Sequence, residues 1–116
     1  MKDWTSIRTR YLEDSLPIRL GGLAANLSRI KSFSTREENR AAVESLIDES
    51  KQFIEWTAVE AEIHVAAELV ELQLLLARWH YKFESIWQQK QQLEQMALDS
   101  QHWSKRVLEL SGLLRA

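Results

Sequence analysis

Three histidines and seventeen carboxylates are the side chains in this 116-residue chain best suited to hold a metal or move a proton near neutral pH, and the chain has no cysteine. A carboxylate-bridged metal pair built into a helical protein needs Glu-x-x-His on two helices and a further Glu from each of two others. The residues three places before His64, His80 and His102 are Ala61, Ala77 and Asp99, so that signature is missing. Glu60 with His64, and His80 with Glu84, stand four apart, a spacing that suits either a shared ion or an ordinary surface pair. Neither pair supplies a full ligand set, so no metal is expected. Nucleophilic chemistry lacks a thiolate and a Gly-x-Ser-x-Gly elbow. The expectation is a protein that is not an enzyme and carries no cofactor.

Gly21-Gly22 is the only glycine pair, and it matches neither phosphate-binding fingerprint. With Ala24 and Ala25 it forms a small-residue patch one turn after Pro17. Glycine in a helix costs about 1 kcal/mol relative to alanine, so something should offset that loss. One reading is close helix approach or a slot for a neighbouring ring. The other is a groove at Gly21, Gly22 and Ala25 that takes an apolar ligand, a pigment or a partner helix.

Charge sets further bounds. The net charge is −2, which disfavours nucleic acid as a partner. Residues 1–36 carry +4, residues 37–74 carry −8 and residues 75–116 carry +2. That asymmetry fits either an acidic segment packed beside basic ones or an acidic face offered to a basic partner. Met1 to Arg10 shows no apolar stretch of the secretory kind, and the longest aliphatic run, Leu74 to Ala77, is far short of the roughly 20 residues that span a membrane. A cytoplasmic protein without a membrane partner is expected.

The elements that hold these residues are helices, since apolar positions recur at steps of three and four and one Pro and three Gly are too few for a β-rich fold. Leu16, Leu20, Leu23, Leu27 and Ile30 form one stripe, with Trp4, Ile7 and Tyr11 upstream of Pro17. This predicts a first helix over about 3–31, kinked by Pro17, although a fresh start capped by Asp14 or Ser15 is the alternative. Ser34 with Glu37 and Thr35 with Glu38 are overlapping capping boxes, which predict a second helix over about 36–56. Thr57 with Glu60 is another, predicting a third helix over about 58–87. That helix carries Val65, Leu69, Leu72, Leu76, Trp79, Phe83 and Ile86. A second stripe, Ile63, Ala66, Val70, Leu74, Ala77 and Tyr81, is read as running next to the first and widening the buried face.

A polar run at residues 88–92 predicts a break before a fourth helix over about 91–114. The rival is a single rod from Ala58 to Leu114, on the order of 85 Å long, which needs an intertwined dimer to bury its stripes. The predicted fold is therefore all-α: one domain, an up-down four-helix bundle with a Pro-kinked first helix.

Five tryptophans are many for this length. Trp79 and Trp103 fall in core stripes, and Trp4 leans the same way. Trp56 at one helix corner and Trp87 beside the polar break remain as candidate anchors for a partner, because tryptophan at an edge favours interfaces. Ser50 and Ser100 occupy stripe positions where their small volume leaves room for rings.

The segments Leu16-Pro17-Ile18-Arg19-Leu20-Gly21-Gly22-Leu23-Ala24-Ala25-Asn26-Leu27 and Phe53-Ile54-Glu55-Trp56-Thr57 resemble stretches of a family of small all-helical proteins from cyanobacteria. That family has no assigned activity, so the resemblance implies a helical fold and no residue role. Taken together, the expectation is an interaction module that binds another protein or a second copy of itself.

Overall fold

Pro17 decides the architecture of the first third of the chain. In the computed structural model, which describes residues 2–114, there is no single kinked helix over 3–31. Helix α1 spans Trp4–Leu12 and α2 spans Leu16–Phe33, separated by a turn in which Ser15 is extended. Proline has no N–H to give to a carbonyl one turn back, and it is well tolerated in the first turn of a new helix, where no such bond is required. Asp3 caps α1, its carboxylate accepting from the Ser6 amide at 3.2 Å and the Ser6 hydroxyl at 2.7 Å.

The expected capping boxes do not form, because their side chains are used elsewhere. Ser34 donates back to the Ile30 carbonyl at 2.5 Å and Thr35 to the Ser32 carbonyl at 3.2 Å. Glu37 accepts from the indole N–H of Trp87. A short 3-10 turn, Glu37–Asn39, intervenes, and α3 runs Arg40–Thr57 rather than starting at 36. At the next corner the Thr57 hydroxyl donates to the Tyr11 oxygen at 3.3 Å, and Glu60 accepts two bonds from Arg19. A second 3-10 turn, Ala58–Glu60, precedes α4, Ile63–Tyr81.

The predicted third helix is interrupted at Lys82, after which α5 occupies Phe83–Gln88. Gln89 then leaves the helical region (φ −114°, ψ 110°), and α6 runs Lys90–Ser111. The break expected near residues 88–92 is therefore present and the continuous rod is excluded. The longest dimension of the described chain is 38 Å. Gly112 ends α6 with φ 78°, a left-handed conformation that glycine adopts without a Cβ penalty, so the helix stops short of the expected Leu114.

Every regular element among the described residues is helical. The most extensive pairing is α2 against α6, followed by α2 with α3 and α3 with α4, while α4 meets α6 only sparsely. Leu20, Leu23, Leu27 and Ile30 of α2 are buried, with Val43, Ile47 and Ile54 of α3, Leu69, Leu72, Leu76 and Trp79 of α4, and Met96 and Val107 of α6. Ser100 and Ser104 donate to the Leu27 and Ala24 carbonyls at 2.6 and 2.7 Å. The small side chain of Ser100 thus pins α6 to the backbone of α2 as well as making room. Trp103 is half-buried.

Candidate interaction face

Helix α4 carries two apolar stripes, and their angular positions determine what each does. At about 100° per residue, Val65, Leu69, Leu72, Leu76 and Trp79 gather on one side of the helix. All five are buried. Ile63, Val70, Leu74 and Tyr81 gather on the opposite side, 89%, 46%, 65% and 82% exposed. Ala67 and Ala77 lie between them in the same line and are also exposed. This corrects the reading of one widened buried face: the second stripe lies across the helix axis from the first and is left exposed among the described residues. Ala66, expected in this stripe, is half-buried, and with the exposed Ala67 in its place the order Ile63, Ala67, Val70, Leu74, Ala77, Tyr81 steps by four and three, the spacing of a coiled-coil seam.

Polar groups edge this face. Glu62, the residue before α4, lies 3.5 Å from His64. Glu68 accepts from Arg106 of α6 at 2.7 and 2.6 Å, and this hydrogen-bonded pair holds its carboxyl below the usual range. Lys51 donates to Nδ1 of His80 at 3.2 Å, and the other ring nitrogen faces Glu44 at 4.0 Å. Toward the C-terminal end, Arg78 and Lys82 are exposed. The N-terminal half of α4 is thus acidic at its margins and the C-terminal half basic.

The tryptophans expected as partner anchors have internal roles. Trp87 is 7% exposed, packs on Phe83 with ring centroids 5.6 Å apart, and gives its N–H to Glu37. It therefore closes the corner between the start of α3 and α5 and presents no ring to solvent, contrary to expectation. Trp56 is half-buried in an aromatic cluster with Trp4, Tyr11 and Phe53, at centroid distances of 6.0 to 6.1 Å. Tyr11 stacks on Phe53 at 3.9 Å. Four rings packed on one another satisfy each other's surface, so Trp56 ties α1 to α3.

The glycine patch is likewise occupied. A Cβ on Gly21 would lie 2.8 Å from Leu113 Cδ1, and one on Gly22 would lie 3.8 Å from Tyr11 Cε1. Ala25 is half-buried on the same helix. A depression of about 300 Å³ lies nearby, walled by Leu16, Pro17, Leu20, Val65, Leu110 and Gly112 among others; neither glycine lines it.

The histidine pairs do not assemble a centre. Glu60 is turned to Arg19, whose guanidinium is bound at 2.9 and 3.0 Å and is 6% exposed. Glu84 lies 3.4 Å from Arg40 rather than beside His80. His102 is exposed, with its ring edge-on to Trp103 at 6.5 Å. Among the described residues no group of three His, Asp or Glu side chains converges as a metal site requires, and no helix is long and apolar enough to cross a membrane. No family model, curated protein or solved structure matches this chain.

Proposed function

We propose that this chain is a non-enzymatic interaction module, an up-down four-helix bundle built from α2, α3, α4 and α6 that acts in the cytoplasm by docking a protein surface on the outer face of α4. The observation that carries this reading is the exposed seam Ile63, Ala67, Val70, Leu74, Ala77, Tyr81 opposite a fully buried stripe. Single exposed apolar residues are ordinary, but six in register along one helix form a contiguous patch of the kind that marks an interaction site. The mode is helix against helix, with anchors read at heptad spacing. Binding of an apolar ligand or pigment beside Gly21, Gly22 and Ala25 has weaker support, since the Leu113 and Tyr11 side chains stand over the two glycines.

The test is a photo-crosslinking amino acid placed at Leu74 in the native host, with Leu98 of α6, 60% exposed, as the control position. Protein adducts are expected from position 74 and not from position 98. Equal yields from the two positions, or none from 74, would overturn the reading.

A further inference from the structure

We infer that the occupant of the α4 face is a second copy of this chain, laid antiparallel about a two-fold axis that passes midway between Val70 and Leu74; the inference rests on the interaction reading above and names its partner. Its first support is the order of side-chain sizes along the seam. Read from either end it runs large, Ala, aliphatic, aliphatic, Ala, large: Ile63, Ala67, Val70, Leu74, Ala77, Tyr81. A closed two-fold contact sets residue i against residue j and j against i, so it requires a pattern that is complementary to its own reverse. Antiparallel pairing centred at residue 72 places Val70 against Leu74 of the other copy, Ala67 against Ala77, and Ile63 against Tyr81. The paired alanines let the two backbones approach, and the larger side chains fill the seam on each side of them. Parallel pairing sets each residue against itself and gives no reason for the palindrome.

Charge supports the same direction. Glu62 just before α4 and Glu71 in its N-terminal half are acidic, Glu68 being already paired with Arg106, and Arg78 and Lys82 stand at the C-terminal end. Antiparallel copies bring the acidic half of one to the height of the basic half of the other, whereas parallel copies set like against like. The dipoles of the two helices also oppose each other in this arrangement.

The area is adequate for a modest dimer. A buried aliphatic side chain covers on the order of 100 Å² and an aromatic one about 150–250 Å². Weighted by their exposure, the four large seam residues present roughly 350 Å² of apolar surface per copy. Two copies then cover about 700 Å², the apolar share of an interface at the small end of the specific range. Area does not fix affinity, so the association is followed over a wide concentration range.

Sedimentation equilibrium of the intact chain up to about 300 μM, combined with cysteine pairing, tests this. The natural sequence has no cysteine, so introduced thiols are the only ones present. Wild-type protein is expected to approach twice 13.6 kDa. Leu74→Glu puts a charge in the seam at a position already 65% exposed, so the fold, followed by circular dichroism, is retained while association weakens at least about tenfold. An oxidised mixture of Ala67→Cys and Ala77→Cys proteins is expected to give the mixed disulfide. Each variant alone crosslinks poorly, because residues ten apart on antiparallel helices are separated by about 15 Å, beyond disulfide reach. A mass that stays at that of one chain overturns the inference, and so does efficient homotypic crosslinking at position 67. If the chain is monomeric but position 74 still crosslinks to a different protein in the host, this inference fails and the interaction reading survives. If position 74 crosslinks to nothing, both fail.

Discussion

The hydroxyl of Tyr11 donates to the Arg19 carbonyl at 2.8 Å and accepts from Thr57 at 3.3 Å, so one phenol joins α1, α2 and the end of α3. Burial pushes its pKa up to about 12, with the Thr57 hydrogen bond pulling the other way. A pKa raised in the folded state means stability that is complete below pH 10 and is lost as pH climbs from 10 through 12. The loss approaches about 3 kcal/mol once the phenol must ionise. Denaturant midpoints measured from pH 9 to 12 are expected to fall for the wild type, with a smaller fall for Tyr11→Phe; parallel curves would remove Tyr11 from the account. Tyr11 was legible in the sequence as an apolar-stripe residue, but its partners were not. A backbone carbonyl and a hydroxyl 46 residues away leave no periodic trace. Trp87 was misplaced for a related reason: Glu37 was assigned to a cap three residues away when its carboxylate serves an indole fifty residues on.

At the scale of elements, the helices and their buried stripes were readable while their termini were not. Periodicity reports which face is apolar and is silent on which polar side chain a given end will use. Two glycines show the distinction between a residue tolerated and a residue required. Gly22 sits inside α2, where an added Cβ meets Tyr11 at 3.8 Å, an ordinary contact. Gly22→Ala is therefore expected to raise stability by up to about 1 kcal/mol, a few degrees in Tm. Gly112 has open space around it but a φ of 78°, so Gly112→Ala is expected to cost about 1 kcal/mol despite the room. Thermal unfolding of the two variants should shift in opposite directions, and shifts of the same sign would contradict this account. The stop signal at Gly112 was available in the sequence, since glycine is favoured just past a helix end. The exposed seam of α4 was available too, since the angular separation of two stripes follows from their numbering alone. Adjoining residue numbers such as 69 and 70 lie about 100° apart around a helix and so belong to different faces.

Across the whole molecule, two arginine–carboxylate clamps hold the α4 region to the remainder: Arg19 with Glu60 just before it, and Arg106 with Glu68 within it. In each the arginine hydrogen bonds hold the carboxyl below its ordinary 4.5. A depressed pKa stabilises above that ordinary value and is lost as pH falls below it, so the melting temperature should decline from about pH 4.5 downward. Glu60→Gln with Glu68→Gln should start lower at neutral pH and decline less on acidification. Identical slopes would show that the clamps contribute nothing. The basic–acidic–basic charge blocks read from the sequence foreshadow both pairs, since each joins the acidic middle segment to one of the basic flanks.

The dominance of the α2–α6 pairing also has a consequence for how the chain comes to be folded. The bond from Ser100 to the Leu27 carbonyl spans 73 positions, and the Ser104 bond to Ala24 spans 80. During synthesis the stripe of α2 emerges early and is covered only in part, by α3, until α6 is made. Non-local closure of this kind slows folding relative to helical proteins whose neighbours in space are neighbours in sequence. It also leaves a nascent chain with bare leucines on display, the condition under which chaperones hold and aggregates start. Docking of α6 onto α2 is therefore expected to be a late step in reaching the native state.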